Sequence, residues 1–173
     1  AGILASQYIE GLQGMGVMAN AKHYVANNQE FDRNNVSSDM EERTLHEIYL
    51  RPFEMTVKDA NVATVMTGYN PVNGIQMSQH DYLNNDVLKE RWGFEGFVVS
   101  DWASTYDGVA AANGGLDLEM PSGANLNREI LMPAIKEGKV SIATIDDKIR
   151  RILNTYERFG FFDQADLAKD FTH

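Results

Sequence analysis

Asp101 and Trp102 close the run Phe97-Val98-Val99-Ser100-Asp101-Trp102, and a carboxylate beside an indole is a pairing suited to sugars. The anion can attack or stabilise an oxocarbenium centre while the aromatic face covers the C–H groups of the ring. Two other groups stand in comparable settings. Lys22-His23, within Ala21-Lys22-His23-Tyr24, sets an ammonium beside an imidazole, a couple able to grip vicinal hydroxyls. Met66 and Tyr69 close a third apolar run, and the Tyr69 phenol could hydrogen-bond a reactive carboxylate or a sugar hydroxyl. Each has a plainer alternative. Asp101 could cap a helix beside a core Trp, Lys22 could form a Schiff base or a structural pair, and Tyr69 could be an aromatic lid over a rim. The four histidines, at 23, 46, 80 and 173, show no His-x-x-x-His or Glu-x-x-His pairing, which disfavours a catalytic metal; His46 and His80 read as surface or packing residues.

The elements that must position these groups alternate along the chain. A helix through about Gln13 is closed by Gly14 and Gly16, and a candidate strand over 17–24 leads into a polar loop over 27–35. Ser38 with Glu41 predicts a capping box, Leu45, Ile48 and Tyr49 share one helical face, and Pro52 ends or kinks that helix and can open another to about Ala60. Residues 62–67 read as a strand followed by a turn at Asn73-Gly74; Ser78 and Asp81 suggest a cap for a helix carrying Leu83, Val87 and Leu88. The strand ending at Asp101 precedes an Ala-rich helix, a fourth strand over 116–120, and two helices, the last with Thr144 as N-cap and Ile145, Ile149, Ile152, Leu153 and Tyr156 at helical spacing. Asp117 and Glu119, two apart on the fourth strand, read as organisers of its rim, with Arg33, Arg43 and Arg51 as candidate carboxylate partners.

Strand and helix alternating four times implies parallel strands joined by right-handed crossovers, in a doubly wound sheet or a (β/α) barrel. Lys22-His23, Tyr69 and Asp101-Trp102 all fall at carboxyl ends of strands, so either arrangement gathers them on one face. No Gly-rich phosphate loop follows a strand, which disfavours nucleotide binding. The expected fold is α/β, a partial (β/α)8 TIM-type barrel with about four parallel strands and their helices over 1–160, followed by an acidic tail or linker over 161–173 toward an absent second domain.

Composition sets outer limits. The 173 residues, 43% hydrophobic and 23% charged, suffice for one domain with a sizeable core. A net charge of −10 argues against nucleic acid as a partner, and no apolar run approaches a membrane span. There is no cysteine, hence no disulfide framework or thiolate metal site. The first residues lack the basic stretch of a signal peptide and an initiator Met, which suggests a processed or excised piece.

The order of motifs resembles glycoside hydrolase family 3, in its β-glucosidase and β-xylosidase branch. The matching segments are Ala21-Lys22-His23-Tyr24, residues 42–53 from Glu42 to Phe53, Met66-Thr67-Gly68-Tyr69-Asn70 with Asn73-Gly74, residues 93–102 ending in Ser100-Asp101-Trp102, and Leu116-Asp117-Leu118-Glu119-Met120-Pro121. The resemblance implies the C-terminal half of a barrel domain from a retaining, exo-acting enzyme that hydrolyses terminal non-reducing β-D-glucosyl residues. In it Asp101 would form a covalent glycosyl-enzyme, and Lys22, His23, Met66, Tyr69 and Trp102 would line the sugar subsite, with no cofactor. It implies as partners a β-glucoside or oligosaccharide and the remaining portions of the same enzyme, namely the first half of the barrel and an α/β-sandwich domain that supplies the acid/base. A periplasmic or extracellular location is favoured by the same resemblance, with a cytoplasmic one open. Val25 to Glu30 depart from the loop signature of the family's β-N-acetylglucosaminidases. Two other readings stay open on the residues themselves: a Schiff-base lyase using Lys22, and a non-catalytic half-barrel that binds sugar or dimerises.

Overall fold

The computed structural model describes residues 1–163. Of the tail expected over 161–173, residues 164–173 lie outside the described residues; Phe161 to Asp163 form an exposed turn after the last helix. The chain begins with α1 (Gly2–Gly14) and β1 (Asn20–Tyr24), three residues shorter at its start than its apolar run suggests. A continuous helical run follows: α2 (Glu42–Thr44), a π-helical stretch (Leu45–Leu50) and α3 (Arg51–Lys58). Pro52 falls in the first turn of α3, directly after the π-helical stretch, and the helical run continues through it instead of ending there.

Then come β2 (Thr64–Thr67), a hairpin of β3 (Pro71–Val72) and β4 (Ile75–Gln76), a 3₁₀ turn (Met77–Gln79), a second π-helical stretch (Tyr82–Arg91) and β5 (Phe97–Val99). Asn73 and Gly74 both take positive φ, 47° and 82°, the conformation a tight two-residue hairpin turn requires. The chain continues with α4 (Gly108–Asn113), α5 (Arg128–Lys136) and α6 (Ile142–Arg158).

The sheet is parallel with order β1-β2-β5, Ala21 opposite Val65 and Val65 opposite Val98. Parallel neighbours need long crossovers, and both here carry helix, which makes the molecule an arc of a (β/α) barrel. The fourth strand expected over 116–120 is reduced to one parallel bridge, Val99 to Leu118. The ladder fails there because the Asp117 carboxylate, not a main-chain carbonyl, accepts the Val98 N–H at 2.7 Å.

The core lies between the sheet and the helical runs. Tyr24, Val65 and Val98 meet Leu45, Leu50, Val57, Leu83, Leu88, Trp92 and Phe94, all buried. Each such aliphatic side chain contributes about 1.5–3 kcal/mol relative to exposure. The Tyr24 hydroxyl donates to the Leu83 carbonyl at 2.8 Å, so its polar end is satisfied inside this layer. Gly96 admits β5 to the sheet: a Cβ there would stand 2.0 Å from the Ala63 carbonyl oxygen.

Several expected caps sit elsewhere, for local reasons. Ser38 does not cap a helix; its hydroxyl donates to the Ala26 carbonyl and its N–H to that of Pro71, tying the polar loop to the hairpin. Ser78 donates to the Ser104 carbonyl, and Asp81 makes no side-chain cap. Ser141, not Thr144, caps α6, accepting the Thr144 N–H at 2.9 Å. Ile48 is 63% exposed, because the wider π-helical turn rotates it off the face that Leu45 and Leu50 bury. On α6 the buried side chains are Lys148 and Thr155, while Ile149 and Leu153 remain about half exposed. The inward Lys148 takes the place an apolar residue would hold, and its partner is Asp117.

Candidate active site

The carboxyl ends of β1, β2 and β5 lie side by side, and residues just past them converge. The Asp101 carboxylate is 6% exposed. Its Oδ1 accepts the Trp102 N–H at 2.7 Å, which fixes the rotamer. Its Oδ2 is buried and accepts no hydrogen bond, although His23 Nε2 stands 3.3 Å away. An unsatisfied buried carboxylate oxygen costs stability, and it marks Asp101 out among the residues of this face.

His23 reaches this point because the parallel register of β1 with β2 slips between Ala21 and Tyr24. Burial first, and then the Lys22 ammonium, hold the imidazole below its ordinary value, outweighing the pull of Asp101. It is therefore neutral at pH 7 and can both donate and accept. Tyr69 follows β2 and is half-buried; burial, and next the negative charge of Asp101, push its phenol up, so it stays a proton donor facing the carboxylate. Met66, half-buried on β2, pairs in register with Val99, two residues before Asp101.

Trp102 is 59% exposed beside the carboxylate, an indole face open to a ligand. Lys22 is exposed, and among the described residues its ammonium makes no hydrogen bond or ion pair. It joins the cluster through its charge on His23 rather than by touching Asp101. A Schiff-base amine is made nucleophilic by desolvation or a neighbouring cation, and an exposed Lys22 lacks the first of these.

Two contributors are not evident from the sequence. Arg33, expected only as a carboxylate partner, pairs with Glu30 and lays its guanidinium over the Tyr69 ring at 3.9 Å from the centroid, so the polar loop over 27–35 folds onto the site. Tyr106, past the end of β5, is raised by burial and then by the nearby Tyr69 phenol, with Arg33 opposing. Its place four residues beyond Trp102 was the available signal. Glu119 accepts the Asn125 and Leu126 N–H groups and so shapes the loop after the fourth strand position, while Asp117 points away from the site into the helical layer. Among the described residues no three His, Asp or Glu side chains could jointly hold a metal ion, and no helix is long and apolar enough to cross a membrane.

The glycosyl hydrolase family 3 N terminal domain matches residues 1–155. The chain belongs to glycosyl hydrolase family 3. A beta-glucosidase of Rhizobium radiobacter is 48% identical over 166 residues, covering 95% of this chain and 20% of that protein. Beta-glucosidase B of Emericella nidulans is 43% identical over 171 residues, covering 98% and 20%. The chain thus spans about a fifth of the length of these curated relatives. Among solved structures, beta-glucosidase 3B from Thermotoga neapolitana in complex with glycerol superposes with a TM-score of 0.87 at 43% identity, over 94% of this chain and 24% of that one. The family 3 beta-glucosidase of Bifidobacterium adolescentis gives 0.89 at 37% identity, over 96% and 24%. The motifs that carry the family resemblance, from Ala21 to Pro121, all lie inside the matched span.

Proposed function

We propose that this chain carries the nucleophile and part of the sugar subsite of a retaining β-glucosidase that removes terminal non-reducing glucosyl residues. The observation that carries the reading is the Asp101 carboxylate: buried, held by one oxygen on the Trp102 N–H, with the other oxygen buried and without a hydrogen-bond donor. Oδ2 attacks the anomeric carbon as the bond to the leaving oxygen breaks, giving a glycosyl ester on Asp101; water then cleaves that ester with retention. The proton for the leaving group comes from a second carboxyl group about 5–5.5 Å from the first, which the remainder of the enzyme contributes.

The other residues act on the sugar and on the nucleophile. Neutral His23 and the Lys22 ammonium bind ring hydroxyls, Trp102 covers a C–H face, and Met66 packs below. The Tyr69 phenol faces the Asp101 carboxylate and is placed to donate to it during the reaction. Glucose as the sugar follows the names of the relatives. The rest of the barrel would lie against the free edge of β1 and the exposed Ile3, Leu4 and Tyr8 of α1, with the segment over 161–173 as a linker toward a second domain.

An activated 2-deoxy-2-fluoro-β-glucoside, offered to the enzyme that contains this chain, tests the assignment. One covalent adduct on the peptide bearing Asp101 is expected, absent in Asp101→Asn. An adduct on another carboxylate would overturn it.

A further inference from the structure

β5 ends at Val99, two residues before Asp101, and a run of hydrogen bonds clamps this stretch to the segment over 117–120. Asp117 and Leu118 N–H groups donate to the Val98 carbonyl at 2.9 and 3.0 Å, and Ser100 N–H donates to the Leu118 carbonyl at 2.9 Å. Met120 N–H donates to the Ser100 hydroxyl at 2.8 Å, and Ala103 N–H to the Met120 carbonyl at 2.9 Å. Asp101 hangs between these ties. At the Val98 N–H no main-chain carbonyl fills the ladder position on this side, and there the Asp117 carboxylate stands in at 2.7 Å.

That carboxylate is itself fixed. Its Oδ1 accepts from Lys89 Nζ at 2.8 Å, Lys89 also donates to the Gly115 carbonyl at 2.8 Å, and Lys148 Nζ lies 3.8 Å from the same oxygen. All three side chains are more than nine-tenths buried. A buried ion pair is weak evidence for stability, since well-packed apolar residues often do as well, but it holds geometry firmly. Here it fixes a side-chain substitute in the ladder, three residues from the proposed nucleophile.

We propose that Asp117, held by Lys89, is a positioning residue for Asp101: it completes the β5 ladder and thereby sets where the nucleophilic oxygen stands. The inference rests on Asp101 being the nucleophile. Asp117 touches no substrate, so its loss acts on the chemical step and leaves sugar binding alone. A displacement of about 1 Å at a reacting atom slows reaction roughly 10²-fold.

The experiment measures fluoroglucoside labelling across reagent concentrations, in the enzyme containing this chain, for the unaltered protein, Asp117→Asn, Lys89→Met and Lys148→Met. The expected result is a limiting labelling rate roughly 10–100-fold lower in Asp117→Asn and roughly threefold or more lower in Lys89→Met, with the half-saturating concentration unchanged within about twofold. Lys148→Met, which keeps both short contacts of Asp117, should label at the unaltered rate whatever its stability. If Asp117→Asn does not fold, Lys89→Met decides. Labelling of folded variants at the unaltered rate, or a loss confined to the half-saturating concentration, would overturn the positioning role. Absence of an adduct at Asp101 in the unaltered enzyme would instead overturn the nucleophile assignment.

Discussion

His23 Nε2 and Asp101 Oδ2 stand 3.3 Å apart although their strands never pair, since β2 lies between β1 and β5. The contact reaches across β2 because residues just past the carboxyl ends of barrel strands gather at one mouth of the barrel. It also has a definite electrostatic character. The imidazole is held below its ordinary value, so at neutral pH Asp101 faces a neutral ring and not a fixed cationic partner.

Asp101→Asn should therefore separate activity from stability. The amide oxygen can still accept the Trp102 N–H, while the cost of burying a charged oxygen without a hydrogen bond disappears. Hydrolysis of an aryl glucoside should fall by roughly 10⁴-fold or more, while stability to urea rises by about 1 kcal/mol. Retained turnover would count against the nucleophile, and a loss of stability against the strained carboxylate.

His23 offers a two-sided test of sign. Lys22 lowers it and Asp101 raises it, after burial, the largest influence, which lowers it. The His23 ring proton resonances should titrate at higher pH in Lys22→Met and at lower pH in Asp101→Asn. A displacement in the same direction for both variants would show that the imidazole does not lie between these charges.

The site was legible in the sequence where chemistry coincided with strand ends. Lys22-His23, Tyr69 and Asp101-Trp102 each follow an apolar run, and parallel pairing, inferred from the alternation of elements, is enough to gather them. What escaped depended on long-range partners. Ser38 has the composition of a helix cap, but the Ala26 and Pro71 carbonyls claim it, and these are 12 and 33 positions away. Residues 116–120 have strand character, yet a side chain supplies one of the ladder bonds, and no local pattern encodes that. Lys89 and Lys148 look like solvated helix charges until Asp117 is placed between them. Arg33 became part of the site only once its loop folded over Tyr69.

Tyr69→Phe isolates the phenol from the ring. The ring keeps its stacking with Arg33, so the loop over 27–35 should stay in place, while the donor facing Asp101 is lost. A hydrogen bond to a charged group contributes about 1.5–3 kcal/mol, so if the phenol bonds Asp101 only during the reaction, kcat should fall by roughly 10–100-fold with KM little changed. An unchanged kcat would mean that the phenol serves packing alone.

Lys148 gives a prediction about pH and stability. Burial outweighs the attraction of Asp117 and pushes its ammonium down from 10.5 to about 8. Between those two values the unfolded chain binds the proton and the folded chain does not, so stability rises with pH across this interval. Below about pH 8 both states carry the charge, and the folded state bears its full burial cost. One bound proton of difference changes stability by about 1.4 kcal/mol for every pH step of one, so the gain from pH 7.5 to 9.5 should reach roughly 1–2 kcal/mol in urea unfolding. Lys148→Met removes the titrating group and should flatten that rise while leaving Asp117 its shorter contact with Lys89. An equal rise in the variant would place the buried proton on another group, with Lys89, also lowered by burial, the next to test by the same substitution.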